Sequence, residues 1–343
     1  MFSPRHTLVT LLAVIGCCQC ALAQQGGRER PPYDPTYPDV HDPVLACENG
    51  RYYMFTTGFG IGQFTSDDRI SWQHTPSPLN PIPEWAKEAV PGYRGHTWAP
   101  DIVRAHGRWY LYYSCSTFGK NTSAIGVMTT KTLDAQSPDY GWQDLGMVIR
   151  SERDVTDYNA IDPAVILDRR RRPWLAFGSF WDGIQLVRLK KDMHTPVGKP
   201  RTVARRRAPK GILHNDTEPG IEAGNNAIEA PFLVYRDGWY YLFVSFDLCC
   251  RGLNSTYKTA VGRSRKVTGP YLDREGRPMT EGGGTIIASS DDRYCGIGHC
   301  GVYLFDDGWY MVAHAYDRSL NGASKLFLHP ITWVDGWPEI TKK

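Results

Sequence analysis

Residues that could perform acid–base chemistry recur at the start of similar segments in this 343-residue sequence. Asp42 and Asp162 each precede a proline, in HDP and IDP, and Glu229 lies in IEAP. Trp98 and His299 begin two further segments of the same kind. A carboxylate is rarely placed in an apolar run such as AIEAPFLV unless it has a partner, because burial removes its water. These five residues are therefore the first candidates for a functional site.

The segments that contain these residues share a strand, a tight turn and an aromatic-rich strand. They begin at His41, Trp98, Ile161, Ile228 and His299. Asn49-Gly50 and Asp237-Gly238 favour hairpin turns. A glycine follows Pro43, Pro100 and Pro231 at a spacing of seven residues, and Gly301 takes the place of the proline in the fifth segment.

Repeats of this length, each sufficient for four strands, predict an all-β protein. We predict a five-bladed β-propeller, in which each repeat forms one blade and packs against its neighbours. A β-sandwich with hairpins that are similar by chance is the alternative.

In a propeller, equivalent positions at the start of the innermost strands surround one axis. Asp42, Trp98, Asp162, Glu229 and His299 would then meet. Glycoside cleavage needs one protonated carboxylic acid and one carboxylate that activates water or attacks carbon. Apolar neighbours raise the pKa of a carboxyl group, which suits Glu229 to the acid role. Asp42 is the candidate base, Asp162 can tune the acid, and Trp98 offers a flat face for a sugar.

The N-terminus has the pattern of a targeting segment. Arg5 and His6 precede an apolar run over residues 8–15, and Ala21-Leu22-Ala23 is a small-residue cleavage site. We predict a signal peptide over residues 1–23 and a single catalytic domain over 24–343, secreted or periplasmic. Anchoring as a lipoprotein at Cys17 is the alternative. The apolar run is too short to span a membrane, and a net charge of +3 gives no reason to expect a nucleic-acid partner.

Cysteines outside the predicted signal peptide have no connectivity that the sequence fixes. They are Cys47, Cys115, Cys249, Cys250, Cys295 and Cys300. Cys249 and Cys250 form either a vicinal disulfide or two reduced thiols. Cys295 and Cys300 are close enough in sequence for a local disulfide.

The ordered set of motifs resembles the glycoside hydrolase family 43 arabinanases, which are five-bladed propeller enzymes. The similar stretches are YPDVHDPVL, HTWAPDI, STFGKNTSAIGV, YNAIDPAV, FGSFWDGIQL, NNAIEAPF, CCRGLNSTYKTAVGRS and GIGHCGVY. The resemblance implies an inverting hydrolase of α-1,5-linked L-arabinan that acts within the polymer. It makes Asp42 the general base, Glu229 the general acid and Asp162 the residue that orients the acid. The implied sugar contacts are Trp98, Phe118, Asn159, Ser179 and Arg263.

The resemblance also places His299 near a central calcium ion that is held largely through water. Calcium prefers oxygen ligands, so a structural histidine that closes the channel is the alternative. We expect a monomer that acts on arabinan, the side chain of pectic polysaccharides.

The competing functions differ in what they require of the cleft. An exo-acting α-L-arabinofuranosidase or β-xylosidase would need one closed end, for which the insertions at residues 73–93 and 201–224 are candidates. A propeller that only binds sugar would have no use for three converging carboxylates.

Overall fold

The computed structural model describes residues 33–206 and 226–341. The predicted signal peptide, residues 1–23, and the alternative anchor at Cys17 lie outside the described residues. Residues 207–225, which include most of the second insertion, also lie outside them. The division into signal peptide and catalytic domain therefore stays a prediction.

Antiparallel strands make up most of the described residues, which confirms the all-β prediction. The strands are β1 (Val44–Glu48), β2 (Arg51–Ser66), β3 (Gln73–Thr75), β4 (His96–Ala105), β5 (Arg108–Cys115), β6 (Ser123–Thr130), β7 (Gln143–Ser151), β8 (Ala164–Leu167), β9 (Pro173–Phe177), β10 (Ile184–Leu189), β11 (Pro196–Ala204), β12 (Ile228–Arg236), β13 (Trp239–Phe246), β14 (Lys258–Ser264), β15 (Thr285–Ala288), β16 (Tyr294–Phe305), β17 (Gly308–Asp317), β18 (Ala323–Val334) and β19 (Trp337–Ile340). One α-helix, α1 (Glu84–Ala89), lies in the first insertion, and 3₁₀ turns occur at Gly252–Asn254, Met279–Glu281 and Arg318–Leu320. No helix among the described residues is long and apolar enough to cross a membrane.

The strands form antiparallel sheets in chain order. Strands β8–β11, β12–β15 and β16–β19 each make a four-stranded sheet. Strands β1–β7 form one seven-stranded sheet, because Gly58 and Phe59 of β2 pair with Thr97 and His96 of β4. Each of the five repeats thus supplies its own run of strands, with the first two joined at this short contact.

Five apolar clusters hold successive repeats together. They contain, as one example each, Phe55 with Leu111, Tyr112 with Leu175, Leu186 with Leu242, Phe243 with Val302, and Leu45 with Val312. The first four join a repeat to the next one in the chain, and the fifth joins the last repeat to the first. Burial of these faces drives the packing, since apolar surface removed from water contributes roughly 25 cal/mol per Å².

The fifth repeat is offset by one residue from the predicted register. Phe305 pairs with Gly308, so residues 306–307 form the turn. Cys300, rather than Gly301, therefore lies in the place that proline has in other repeats. The predicted register is wrong because it takes Gly308 as the turn glycine, whereas aspartate is also a favoured turn residue.

The cysteines resolve the alternatives that the sequence left open. Cys249 and Cys250 are bonded to each other. Cys295 and Cys300 are free thiols, so the local disulfide considered between them does not form. Both are buried in the fifth repeat, where they pack as small apolar side chains.

Candidate active site

One residue at the start of the first strand of every repeat has a positive φ, between 46° and 57°. These residues are Asp42, Ala99, Asp162, Ala230 and His299. Their backbone N–H groups donate, at 2.8–3.1 Å and in the same order, to side chains of His314, Thr57, Ser114, Asp162 and Ser245. Each acceptor belongs to the preceding repeat, and the fifth repeat supplies the acceptor for the first. The series of contacts is therefore closed, and it holds a conformation that costs free energy in non-glycine residues.

His299 consequently has a different equivalent from the one expected. It corresponds to Asp42 and Asp162, and not to Trp98 and Glu229, because the fifth repeat is offset by one residue. The three side chains approach one another, since His299 Nδ1 lies 3.0 Å from Asp42 Oδ1 and Asp162 interacts electrostatically with both.

Glu229 is buried in β12 and accepts two side-chain hydrogen bonds. Ser179 Oγ donates to its Oε2 at 2.6 Å, and the Tyr257 hydroxyl donates to its Oε1. Burial raises the pKa of Glu229, and the two hydrogen bonds oppose that rise. Glu229 therefore has the surroundings of a general acid. Burial favours its protonated form, and the two hydrogen bonds stabilise the carboxylate that remains after proton transfer. Tyr257 was not among the residues predicted from the sequence.

Asp162 supports the strand that carries Glu229. Its Oδ2 accepts the N–H of Ala230, the residue after Glu229, at 3.1 Å. Gly178 is the reason that a carboxylate accepts this N–H. Gly178 lies opposite Ile161, at the position that Ser114 and Ser245 occupy in the second and fourth repeats, and glycine has no side chain that could accept the hydrogen bond. Burial raises the pKa of Asp162, and the neighbouring charge of Glu229 adds to the effect.

Asp42 is the carboxylate with histidine partners. His41 Nδ1 and His299 Nδ1 lie 2.9 Å and 3.0 Å from its Oδ1, and Thr57 Oγ1 donates to its Oδ2 at 2.5 Å. Burial alone would raise the pKa of Asp42, but the interactions with His299 and His41 hold it well below its usual range. Asp42 is thus ionised at neutral pH, as a general base must be.

A stacked pair of histidines contacts Asp42. His41 and His314 stack with ring centroids 3.8 Å apart. His314 Nδ1 accepts the Asp42 N–H at 3.1 Å, so the proton of this neutral ring is on Nε2. Burial lowers the pKa of His314 well below its usual value, which agrees with that assignment. The Tyr316 hydroxyl lies 2.9 Å from His41 Nε2 and ties the pair to β17.

These contacts connect the candidate acid to the candidate base. The Tyr257 ring stacks on His314 at 5.8 Å while its hydroxyl donates to Glu229. His314 in turn accepts the N–H of Asp42. Glu229 and Asp42 therefore flank one buried scaffold, with their pKa values displaced in opposite directions.

An exposed aromatic row borders the site. Trp98 is half-buried, and its Nε1 donates to His96 Nδ1 at 2.8 Å. Phe59 meets the His96 ring edge-on at 5.2 Å and is 79% exposed. Phe118 is 60% exposed. Exposed aromatic faces suit sugar stacking, so Phe59 and His96 are further candidates beside the predicted contacts Trp98 and Phe118. Only the unusual placement of Phe59 between two glycines could have indicated it.

The remaining predicted sugar contacts divide into two cases. Asn159 lies three residues before Asp162, and its buried Oδ1 has no hydrogen-bond partner among the described residues, which leaves it available to a hydroxyl group. Arg263 pairs with Tyr241 of β13, and Glu229 pairs with Ser245 of the same strand. Tyr241 and Ser245 are four residues apart, which corresponds to roughly 13 Å at the rise of a strand. The guanidinium of Arg263 lies over tryptophan rings at that end, so the structure does not bring it to the carboxylates.

Among the described residues, those around His299 do not form a calcium cage. Its Nδ1 faces Asp42, which leaves one ring nitrogen for an ion, whereas calcium takes roughly six to eight oxygen ligands. Ligand atoms of His41, Asp42 and His314 lie within 4.8 Å of one another, but the Asp42 N–H already occupies His314 Nδ1. An ion near His299 would depend almost entirely on water.

Known proteins with similar sequences and structures are named as arabinanases or as an arabinofuranosidase. An exo-1,5-α-L-arabinanase from a bovine ruminal metagenomic library is 57% identical, with a TM-score of 0.86 over 91% of this chain and 100% of that chain. The extracellular exo-α-(1→5)-L-arabinofuranosidase of Cellvibrio japonicus is 44% identical over 308 residues, which are 89% of this chain and 87% of the relative. The extracellular endo-α-(1→5)-L-arabinanase 1 of Bacillus subtilis is 42% identical over 303 residues, 87% of each chain.

The family profile extends over almost all of the described residues. The profile of the glycosyl hydrolases family 43 matches residues 35–338, a range that includes all three carboxylates and the closed series of repeats. The match and the relatives confirm the resemblance noted in the sequence, and this chain belongs to the glycosyl hydrolases family 43.

Proposed function

We propose that this protein is an inverting glycoside hydrolase that cleaves α-1,5-L-arabinofuranosidic linkages within arabinan. The observation that carries the proposal is the pair of buried carboxyl groups with opposite pKa displacements. Glu229 is surrounded so as to keep a proton, and Asp42 is held ionised by histidines. Pairs of titratable groups displaced in this way mark the acid and base of a hydrolase.

The mechanism follows from these roles. Asp42 takes a proton from a water molecule as that water attacks the anomeric carbon, and Glu229 gives its proton to the leaving oxygen. Because water attacks directly, the configuration inverts, and the two carboxyl groups need a separation of roughly 6.5–9.5 Å. Asp162 acts as a positioning residue, since it holds the N–H next to Glu229.

The substrate assignment depends on the family relatives. Two of those described above are named as 1,5-arabinanases and one as an exo-α-(1→5)-L-arabinofuranosidase, which makes arabinan the proposed polymer. The exposed row of Phe59, His96 and Trp98 supports binding of an extended chain, because the three rings contact one another in sequence.

Exo action is the second candidate, and a specific observation favours it. Two of the relatives, at 57% and 44% identity, are named as exo-acting. In an exo enzyme one end of the cleft is closed, for which the segment with β3 and α1 in the first insertion is suitable. Mixed oligosaccharides from linear arabinan would support endo action, and arabinose or one short product from the start would support exo action.

The fold that we propose is the five-bladed propeller in a single catalytic domain. It is supported by the five apolar clusters and by the five hydrogen bonds from the backbone N–H groups of the positive-φ residues. Both sets run from each repeat to the next and from the fifth to the first. We further propose a secreted monomer with a signal peptide, since two relatives are named extracellular. A water-held calcium ion near His299 also stays a prediction, which elemental analysis of the purified protein tests.

The test of the proposed function is hydrolysis of linear arabinan by the wild-type protein and by Glu229→Gln. We expect activity on arabinan, little on xylo-oligosaccharides, and a loss of at least about a hundredfold in the variant, the lower range for a general acid. Tyr271→Phe is a matched control because its buried hydroxyl donates to the carbonyl of Val267. Full activity of Glu229→Gln would contradict the proposal.

A further inference from the structure

The Cys249–Cys250 disulfide lies at the candidate active site, in the loop that follows β13. The N–H of Cys250 donates to the Tyr316 hydroxyl at 2.7 Å. Its Sγ lies 3.8 Å from His41 Nε2, and the other nitrogen of this ring contacts Asp42. The disulfide thus contacts Tyr316 and His41, which lie next to the candidate base Asp42.

The same disulfide forms one wall of a cavity of about 330 Å³. Phe118, Arg251 and Asn254 also line this cavity. Its volume is at the small end of the roughly 300–1,000 Å³ found for ligand sites, which suits one or two sugar rings rather than a long polymer. Phe118 offers an apolar face, and the arginine and asparagine offer donors for hydroxyl groups.

We propose that the Cys249–Cys250 disulfide is a substrate-binding wall that holds one arabinofuranosyl residue against Phe118 beside Asp42. The inference depends on the proposed arabinan-hydrolase function and names a subsite of it. A bonded pair of sulfur atoms suits this task because it is apolar and has few conformations to lose on binding. Cys250 also has a positive φ of 64°, which the closed ring and the bond to Tyr316 maintain.

Reduction removes this wall without changing the sequence. A phosphine breaks the S–S bond, the two sulfur atoms become thiols, and the phosphine is oxidised to its oxide with the oxygen of water. Cys250 is exposed, so the reagent has access to it. The described cysteines outside this pair are already free thiols and offer no other bond to break.

The first experiment compares steady-state kinetics on linear arabino-oligosaccharides with and without a phosphine. We expect the KM of the wild-type protein to rise about tenfold on reduction while kcat changes less than threefold. Cys249→Ala/Cys250→Ala should show the raised KM without the phosphine and no further response to it. Cys47→Ser, which removes an exposed free thiol on β1, is the matched control and should behave as wild type in both conditions.

The second experiment measures binding without turnover. Glu229→Gln is titrated calorimetrically with an arabino-oligosaccharide in the oxidised and reduced states, and the Kd should rise about tenfold on reduction. An unchanged KM and Kd after complete reduction, confirmed by mass spectrometry, would overturn the inference. A fall in kcat alone would also overturn it, because the disulfide would then serve only to position His41. Absence of hydrolysis by the oxidised wild-type protein would instead refute the proposed function itself.

Discussion

Replacement of Tyr257 by phenylalanine should move the alkaline limb of the pH profile upward. The Tyr257 hydroxyl donates to Glu229 Oε1, and this hydrogen bond stabilises the ionised form of the carboxyl group. Without this hydrogen bond, less of the pKa rise caused by burial is offset, so the pKa of Glu229 rises further. The acid then keeps its proton to higher pH, and kcat/KM declines later on the alkaline side.

The magnitude follows from the strength of such a bond. A hydrogen bond to a charged group contributes roughly 1.5–3 kcal/mol, and 1.36 kcal/mol corresponds to one pH unit. Because Ser179 still donates to Oε2, we take the lower end and expect a move of about one pH unit. The plateau of kcat should fall at the same time, since a weaker acid transfers its proton less readily.

The assay is kcat/KM on a linear arabino-oligosaccharide from pH 4 to pH 10. Tyr271→Phe, which removes the hydroxyl group of another buried tyrosine, should leave the alkaline limb in place. Since Glu229 and Asp162 titrate as a pair, the limb is read as a property of both carboxyl groups. An alkaline limb of Tyr257→Phe that stays fixed or moves to lower pH would refute this account of the acid.

Three further predictions concern the sugar contacts and the hydrogen bonds at the positive-φ residues. Phe59→Ala should raise the KM for linear arabinan about fivefold and leave the melting temperature unchanged, because the ring is 79% exposed and an aromatic contact contributes roughly 1 kcal/mol. Asp162→Ala should lower the free energy of unfolding in urea by about 1–3 kcal/mol because the Ala230 N–H loses its acceptor, whereas Asp162→Asn keeps an acceptor and should cost less. Both variants should lose activity if the carboxyl group of Asp162 tunes the acid, and equal stability of the two would contradict the role of Asp162 as acceptor of the Ala230 N–H. Ser245→Ala should cost a similar 1–3 kcal/mol, because the His299 N–H is left without its partner.

The repeats in the sequence predicted most of the architecture, because the turns and strands within a repeat depend on residues that are close together in the sequence. The turns after β1, β4 and β12 follow from glycine and from alternation along each strand, and they form as expected. The offset of the fifth repeat was missed because Asp306, Asp307 and Gly308 allow two turns of equal length. Only the pairing of Phe305 with Gly308 chooses between them.

The candidate site was predictable only where its residues belong to the repeat. Asp42, Asp162 and Glu229 stand out because each begins a repeat. Tyr257 and His314 do not, since Tyr257 comes from the loop before β14 and His314 comes from β17. They reach the carboxylates only after the repeats close on each other. Side-chain contacts between distant parts of the chain have no local signal, which is also why the place of the disulfide beside His41 could not be inferred.

The most direct test of the central claim is a proton NMR time course of the first product released from a linear α-1,5-arabino-oligosaccharide. Attack by a water molecule that Asp42 activates, with Glu229 as the acid, predicts that the new reducing end appears as the β-anomer and only later equilibrates. Appearance of the α-anomer first would contradict the account, because it would require a covalent intermediate and a second displacement.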